Sequence, residues 1–469
     1  MNFQTRVIAL VLSASVAGCT VGPDYAPPAI ALNASYIAAS AKGSPISPET
    51  GWWHAFRDPL LDRIVGSGLD GNLDIGQALE RIAQARANVD IAQSDTVPSL
   101  SGSSSSKVEG TTGESSGASS NERQVTNSTS LDVSWLLDIW GKYRRNREAS
   151  LASLDASFAD ADTARLTLLS EITTEYVNLR LYQAQAAIAR ETIASRRETL
   201  SLVREQQAIG LSSGLQVAQT LAALKAAEAS LPGYEVSFYQ SANRIAYLTG
   251  QQPGAFLKEV RKGARIPAAR FQPSSGIPAD LLRNRPDIRS AERQLASKSA
   301  SIGVAAADLY PSLTLSGSLA ATVAAAATGG SSQLLTWSFG PVADIPIFDG
   351  GAREAKVRLA ESEAREQYLA WKDSVLNGAQ EVENALVAWQ RQTRQVEALR
   401  QSANAYSEAA DLARESYKGG TSAFLDVLDA ERSLFEARLS LASAEAQRAL
   451  NFITLCVAAG GGYRAEGGS

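Results

Sequence analysis

Two long stretches of the chain carry apolar and small residues at alternating spacings of three and four. Residues 142–209 contain neither glycine nor proline, and residues 352–418 contain no proline and a single glycine. Within the second stretch Val382, Leu386 and Trp389 follow this spacing. A pattern sustained over such a length is typical of a coiled-coil seam, and each stretch predicts a helix of about 100 Å.

Each long helix is predicted to turn and run back as a second helix. The two turns, at residues 209–214 and 419–423, contain the glycines and hydroxyl residues that end one helix and begin another. The return helices are expected to reach Leu248 and Leu455.

Apolar and polar residues alternate in shorter segments between the helical stretches. The alternation runs through residues 125–137, 313–319 and 335–339. It predicts strands of a β-barrel wall, although the edge of a soluble β-sandwich packed on helices would also alternate. Residues 99–110 are mostly serine and are assigned as a fourth strand because the internal repeat requires one.

Low-complexity residues separate the two strands of each pair, at 110–121 and 324–332, and predict external loops. Aromatic residues near the strand ends are expected to form an interfacial girdle. They are Trp135, Trp140, Tyr310, Trp337 and Phe348.

The chain contains an internal repeat with an offset of roughly 210 residues. Residues 74–75 (DI) and 98–100 (PSL) recur at 287–288 and 311–313. Each repeat is expected to contain a helix, two strands, a long helix and a return helix, in that order. The first helix is predicted over residues 60–97 in one repeat and 278–310 in the other, where the shared proline stops it.

The first residues form a targeting segment. Arg6 precedes an apolar stretch, at residues 7–17, that is too short to span a bilayer as a helix. Residues 16–19 (VAGC) are similar to a bacterial lipobox, so Cys19 is expected to become the lipidated first residue, for example with palmitate. An ordinary cleavage site next to a cysteine is the alternative. Thr20, a non-acidic residue after the cysteine, favours sorting to the outer membrane.

These features predict six segments. They are a lipoprotein signal peptide (1–18), a lipid-anchored N-terminal segment (19–59), a first repeat (60–250), a linker (251–277), a second repeat (278–459) and a flexible tail (460–469).

Composition argues against an enzyme and against a nucleic-acid binder. One histidine, His54, and two cysteines, Cys19 and Cys456, are too few for a His- or Cys-ligated metal site. A net charge of −5 lacks the basic footprint of nucleic-acid binding. Two G-x-S-x-G matches, at 113–117 and 210–214, lie in a loop and a helix turn, where no nucleophile elbow forms. We expect no cofactor, and Cys456 is expected to be a buried apolar residue.

Four strands per chain cannot close a barrel. An open sheet edge cannot lie in lipid, because its N–H and C=O groups would be unpaired. If these strands cross a membrane, several chains must share one barrel, and three chains would supply twelve strands. The predicted fold class is therefore an α+β membrane protein. The same three chains would supply six long and six return helices, which would close a hollow helical tube on the other side of the membrane.

Five sequence segments carry a family resemblance. They are residues 19–25 (CTVGPDY), 52–60 (WWHAFRDPL), 285–288 (RPDI), 346–351 (PIFDGG) and 417–430 (YKGGTSAFLDVLDA). In this order, over nearly the whole mature chain, they resemble lipid-anchored outer-membrane efflux channels of the TolC/OprM superfamily, of the NodT type. The resemblance implies a homotrimer with a 12-stranded outer-membrane β-barrel, four strands per chain, continuous with a long periplasmic α-helical barrel. It also implies the outer-membrane exit duct of a tripartite efflux system that passes small molecules such as drugs. The implied partners are a periplasmic adaptor (membrane fusion) protein, an inner-membrane pump and outer-membrane lipid.

The resemblance also places one helical face at a periplasmic constriction. Leu425, Asp429 and Arg432 share this face, since they are spaced by four and three. Three copies would form an apolar ring beside an acidic ring, and Arg432 would hold Asp429 within its own chain or across to a neighbour. An exposed ion pair without a gating role is the alternative.

The small residues of the two helical turns are expected to admit the adaptor. They are Gly210, Ser212, Gly214, Gly420 and Ser422. Plain helix-capping chemistry is the alternative. The rival function for the whole chain is a lipid-anchored coiled-coil envelope scaffold or adhesin stalk without a pore. That function would explain the heptads and the anchor but not the alternating strands.

Overall fold

The computed structural model describes residues 20–30, 51–115, 118–269, 285–326 and 329–461. The predicted signal peptide and Cys19 lie outside these residues. The helices are α1 (Pro59–Gly71), α2 (Leu73–Ser94), α3 (Lys142–Ala208), α4 (Gly214–Leu248), α5 (Leu257–Val260), α6 (Pro286–Ala307), α7 (Ala352–Lys418) and α8 (Phe424–Ala458). The strands are β1 (Ser99–Ser115), β2 (Ala118–Leu137), β3 (Ser312–Ala326) and β4 (Gly330–Asp344).

The chain divides into two compact units, each built from both sequence repeats. Unit 1 comprises Met1–Ala29, Arg81–Phe158 and Ser290–Lys372, and unit 2 comprises Ile30–Glu80, Ala159–Arg289 and Asp373–Ser469. Unit 1 contains the four strands, and unit 2 contains the turns that join the long helices to the return helices.

The four strands form one antiparallel sheet in the order β1-β2-β3-β4. β1 with β2 and β3 with β4 are hairpins, whereas β2 pairs with β3 across the two repeats. Leu131 of β2 lies opposite Leu319 of β3, which lies opposite Trp337 of β4. The alternating segments and the serine-rich segment are therefore strands, as predicted.

Two expectations about the sheet are wrong. The predicted loops at 110–121 and 324–332 are mostly strand, because β1 continues to Ser115 and β4 begins at Gly330. Main-chain groups of serine, threonine and glycine pair in a ladder as well as those of larger residues, so low complexity did not end the strands. Trp337 lies in the middle of β4 and not near a strand end.

The first predicted helix of repeat one is two helices. Asn72 interrupts it, because its side-chain oxygen accepts from the N–H groups of Asp74 and Ile75 and so begins α2. Its side-chain amide donates to the carbonyl of Leu248, which holds the junction in unit 2. In repeat two the helix starts at Pro286, and residues 278–284 of that prediction lie outside the described part of the chain.

The long helices agree with the 3-4 pattern. α3 and α7 have 67 residues each, and α4 and α8 have 35 each. The seam residues Val382, Leu386 and Trp389 are buried, as are Ile172 and Tyr176 of α3. The second return helix ends at Ala458, slightly beyond the predicted end. Among the described residues, no helix is both long enough and apolar enough to cross a membrane.

Candidate functional site

The turn between α3 and α4 is closed by backbone and capping hydrogen bonds. Gly210 adopts the left-handed region, with φ 78°, and its N–H donates to the carbonyl of Gln207. Ser213 caps α4 reciprocally with Gln216, and Ser212 Oγ donates to the Gln216 side-chain oxygen at 2.8 Å. Gly214 is the first residue of α4.

The turn between α7 and α8 has the same backbone shape with different side chains. Gly420 is left-handed, with φ 72°, and its N–H donates to the carbonyl of Tyr417. Asp426 provides the cap, since its carboxylate accepts from the N–H of Ala423 at 3.1 Å and from Ser422 Oγ at 2.8 Å. The five turn residues named from the sequence therefore lie at the ends of two helical hairpins of unit 2.

The predicted gate residues share one face of α8, close to the second turn. Arg432 Nη2 donates to Asp429 Oδ1 of the same chain at 2.6 Å, and the two side chains are 64% and 63% exposed. Leu425, one turn earlier, is exposed. An ion pair this accessible contributes only about 0–1 kcal/mol to the free energy of folding. Folding stability therefore does not explain why these three residues share one face.

These three side chains line a cavity of about 660 Å³ between α3, α4 and α8, together with Arg196, Ala223 and Phe435. Arg196 is buried, donates from Nη1 to the carbonyl of Ala223 and lies over the ring of Phe435. Burial lowers the pKa of the Arg196 guanidinium, while the charge of Glu431 opposes that effect. The cavity therefore combines apolar walls with acidic and basic groups at the predicted gate.

Glu431 connects α8, the helix with the predicted gate residues, to two neighbouring helices. It is buried, and its Oε1 accepts from Arg414 Nε of α7 at 3.0 Å and from Thr199 Oγ1 of α3 at 3.0 Å. Arg414 Nη2 also donates to Ser195 Oγ of α3 at 2.8 Å. One carboxylate thus connects α8, α7 and α3 beside the face that carries the predicted gate residues.

Sequence reasoning missed this buried cluster, although a signal was present. On α8 the buried positions Phe424, Val427 and Leu434 form an apolar stripe, and Glu431 continues it. On α3, Arg196 lies at seam spacing between Ile193 and Leu200 in the same way. A charge on an otherwise apolar 3-4 stripe is unusual, because an unpaired buried charge is costly.

No group of three or more His, Cys, Asp or Glu residues that could hold a metal ion occurs in the described ranges. Cys456 is buried, and burial raises the pKa of its thiol, which makes it unreactive.

Comparison with known proteins decides the family. The family model "Outer membrane efflux protein" matches residues 65–251 and again residues 277–461. The chain belongs to this family. The predicted resemblance and the predicted outer-membrane location are confirmed, and members of the family are outer-membrane channel proteins and not enzymes.

Relatives of this efflux protein align with it over almost its whole length. Nodulation protein T of Rhizobium leguminosarum bv. trifolii is 41% identical over 98% of this chain and 97% of its own. The pyoverdine export outer membrane protein OpmQ of Pseudomonas putida is 31% identical over 99% of both chains. The solved outer-membrane channel OprN has a TM-score of 0.85 and 32% identity, over 94% of this chain and 99% of that one. CusC, also a solved structure, has a TM-score of 0.80 and 26% identity, over 94% and 100%.

Proposed function

We propose that this outer-membrane efflux protein is the exit duct of a tripartite efflux system. It passes small molecules, such as drugs, from a periplasmic adaptor and an inner-membrane pump to the outside. Family membership supports efflux across the outer membrane. The proposal of a duct rests on the sheet. Its edge strands β1 and β4 have no second strand partner within the described part of the chain.

Those open edges are the reason to propose a homotrimer. Unpaired main-chain groups cannot remain in lipid, so β4 of one chain must pair with β1 of the next. Three sheets of four strands give a closed barrel of twelve, an even number in the range of outer-membrane barrels. The exposed side chains of β4, including Trp337 and Phe339, suit a wall that faces lipid.

We further propose that α8 carries the gate. Three copies of Leu425 would form an apolar constriction that closes by dewetting, and three copies of Asp429 would form an acidic ring that favours cations. Arg432 holds each Asp429 through the intrachain ion pair. The side chains of Ser195, Thr199 and Arg414 set the orientation of α8 through Glu431.

The hairpin ends would dock the adaptor, with Gly210, Ser212, Gly214, Gly420 and Ser422 as close-approach residues. Cys19 would be acylated and would anchor the N-terminus in the membrane. The rival proposal, an envelope scaffold without a pore, does not explain a sheet whose edges require partner strands.

The test is the mass of the native assembly in detergent, followed by ion conductance after reconstitution. Three processed chains, each somewhat below the 49.5 kDa of the full sequence, and a cation-preferring conductance are expected. A monomeric particle without conductance would remove the duct proposal and leave the scaffold.

A further inference from the structure

The segment that follows the predicted lipidation site is built into unit 1. Residues 20–25, called the clasp below, run between the start of α3 and the body of α6. The N–H of Val21 donates to the carbonyl of Trp140 at 3.1 Å. Arg145 of α3 donates to the carbonyls of Val21 and Gly22 and, at 2.6 Å, to Asp24 Oδ1. The Arg145 side chain is only 5% exposed, and its charge is shared between Asp24 of the clasp and Glu148 of α3, whose Oε2 accepts from Nη1 at 2.8 Å.

Only glycine fits where the clasp crosses α6. Gly22 has φ 92°, and a Cβ on it would lie far inside van der Waals contact distance of the Cα of Gly303. A Cβ on Gly303 would meet Arg145 Cγ at 2.7 Å and the carbonyl oxygen of Val21 at 2.8 Å. Neither approach leaves room for a side chain, because main-chain atoms are among those that would have to move.

The other end of the clasp is held by α6. The Tyr25 hydroxyl donates to Glu292 Oε1 at 2.5 Å, and the Arg293 guanidinium lies over the Tyr25 ring while pairing with Glu292. Burial, and the hydrogen bond to Glu292, raise the pKa of Tyr25, so its hydroxyl stays a donor. The clasp therefore has a cation–π contact, an ion pair and a close-packed glycine contact within six residues.

The internal repeat offers a second, equivalent place where the clasp would not fit. At the repeat offsets of roughly 210 residues, Gly303 corresponds to Asp90 of α2 and, by the matched starts of α3 and α7, Arg145 corresponds to Ala355. There the Asp90 carboxylate would crowd and repel the clasp, and Ala355 has no side-chain donor for it, whereas α6 and α3 offer space and a guanidinium. The sequence thus specifies one clasp site per chain.

The clasp lies where the two repeats meet in the sheet. β2 leads into α3 and α6 leads into β3, and Trp140 Nε1 donates to the carbonyl of Pro311 between them. Trp140 also stacks on Tyr310. β2 and β3 are far apart in sequence, so their pairing carries a loop-closure cost that the two local hairpins avoid.

We propose that the clasp is an assembly element that fastens β2 to β3 at the base of the sheet, with the groove between α3 and α6 as its receptor. By holding the ends of α3 and α6 together, it offsets the closure cost of the long-range strand pair. The segment next to the predicted lipidation site would therefore also act in assembly, since it joins the two helices that flank the β2–β3 pair. This inference does not depend on the gate or on how many chains share the sheet.

The test compares three glycine-to-alanine variants of the full chain. Gly22→Ala and Gly303→Ala should reduce the protein recovered in the outer membrane at least about ten-fold. Gly76→Ala is the matched control, since Gly76 lies in the equivalent helix α2 and a Cβ on it would point into open space, and it should assemble normally. Removal of the signal peptide, read from the mass of the chain, should be unchanged in all three.

Three outcomes would overturn the proposal. Normal recovery of Gly22→Ala and Gly303→Ala would show that the sheet forms without the clasp. A loss of signal-peptide removal in these variants would show that the glycines act in processing. A milder variant, Asp24→Ala, should assemble but expose the clasp to chymotrypsin after Tyr25 at least about ten-fold faster, since it loses the contact to Arg145. An unchanged cleavage rate would also contradict the proposal.

Discussion

The two helical hairpins of unit 2 have the same length and the same turn, but different chemistry holds them together. α3 and α4 contact each other through an aliphatic cluster of Ile193, Leu200, Leu224 and Ala227. The buried charge beside this cluster, Arg196, donates to a main-chain carbonyl of α4 and not to a carboxylate. α7 and α8 are joined at the corresponding level by the buried Glu431 carboxylate. At the repeat offset, Glu431 corresponds to Leu221, which is partly exposed.

Because of this difference, we expect the α3–α4 hairpin to be static and the α7–α8 hairpin to be able to open. Aliphatic contacts lose free energy gradually as surfaces part, whereas a buried ion pair depends on the geometry of a few atoms. The hairpin with the ion pair is also the one that carries Leu425, Asp429 and Arg432. We therefore expect motion at the proposed gate to occur in α8 and not in α4.

The largest difference between the hairpins should follow from removing Arg414. Arg414→Ala leaves the Glu431 carboxylate buried with only hydroxyl donors, which should lower the free energy of unfolding by roughly 3 kcal/mol. Arg204→Ala is the matched control, because Arg204 holds the equivalent place in α3, is exposed and should cost less than about 0.5 kcal/mol. Denaturant unfolding followed by helical circular dichroism measures both.

A rescue variant sharpens this comparison. Adding Glu431→Leu to Arg414→Ala removes the unpaired buried charge and introduces leucine, the residue at the equivalent position of the first repeat. Most of the lost free energy of unfolding should therefore return. If Arg414→Ala and Arg204→Ala were equally mild, Glu431 would not fasten α8 and the contrast between the hairpins would be lost.

The hairpins also show what the sequence alone could predict. The long helices followed from the 3-4 spacing and the absence of proline, which are local signals, and the turns followed from Gly210 and Gly420. The break at Asn72 was missed, because an asparagine in a helical pattern begins a new helix only when its side chain caps that helix. The Glu431 cluster was missed because its partners, Arg414 and Thr199, come from separate parts of the chain.

The second prediction concerns the exposed face of each return helix. Leu425→Ala combined with Asp429→Ala should raise single-channel conductance several-fold and weaken cation preference, because it removes the proposed apolar and acidic rings. The equivalent change in α4, Leu215→Ala with Gln219→Ala, should alter conductance less than about two-fold, since no charge is lost. Equal effects of the two double variants would mean that the constriction is not specific to α8.

The smallest expected effect is a difference in how salt affects docking of the adaptor at the two turns. The first turn exposes Ile209 and Leu211, whereas the second is flanked by Lys418 and Asp426. Cysteines at Ser212 and Ser422 should both crosslink to the hairpin tip of the adaptor, and raising the salt concentration should reduce only the Ser422 yield, by about two-fold, because salt screens charged contacts and not apolar ones. Cysteines at Ser128 of β2 and Ser316 of β3 serve as controls and should not react. Crosslinks confined to those strand positions would contradict docking at the turns, and equal salt dependence would show that the two turns bind the adaptor through the same chemistry.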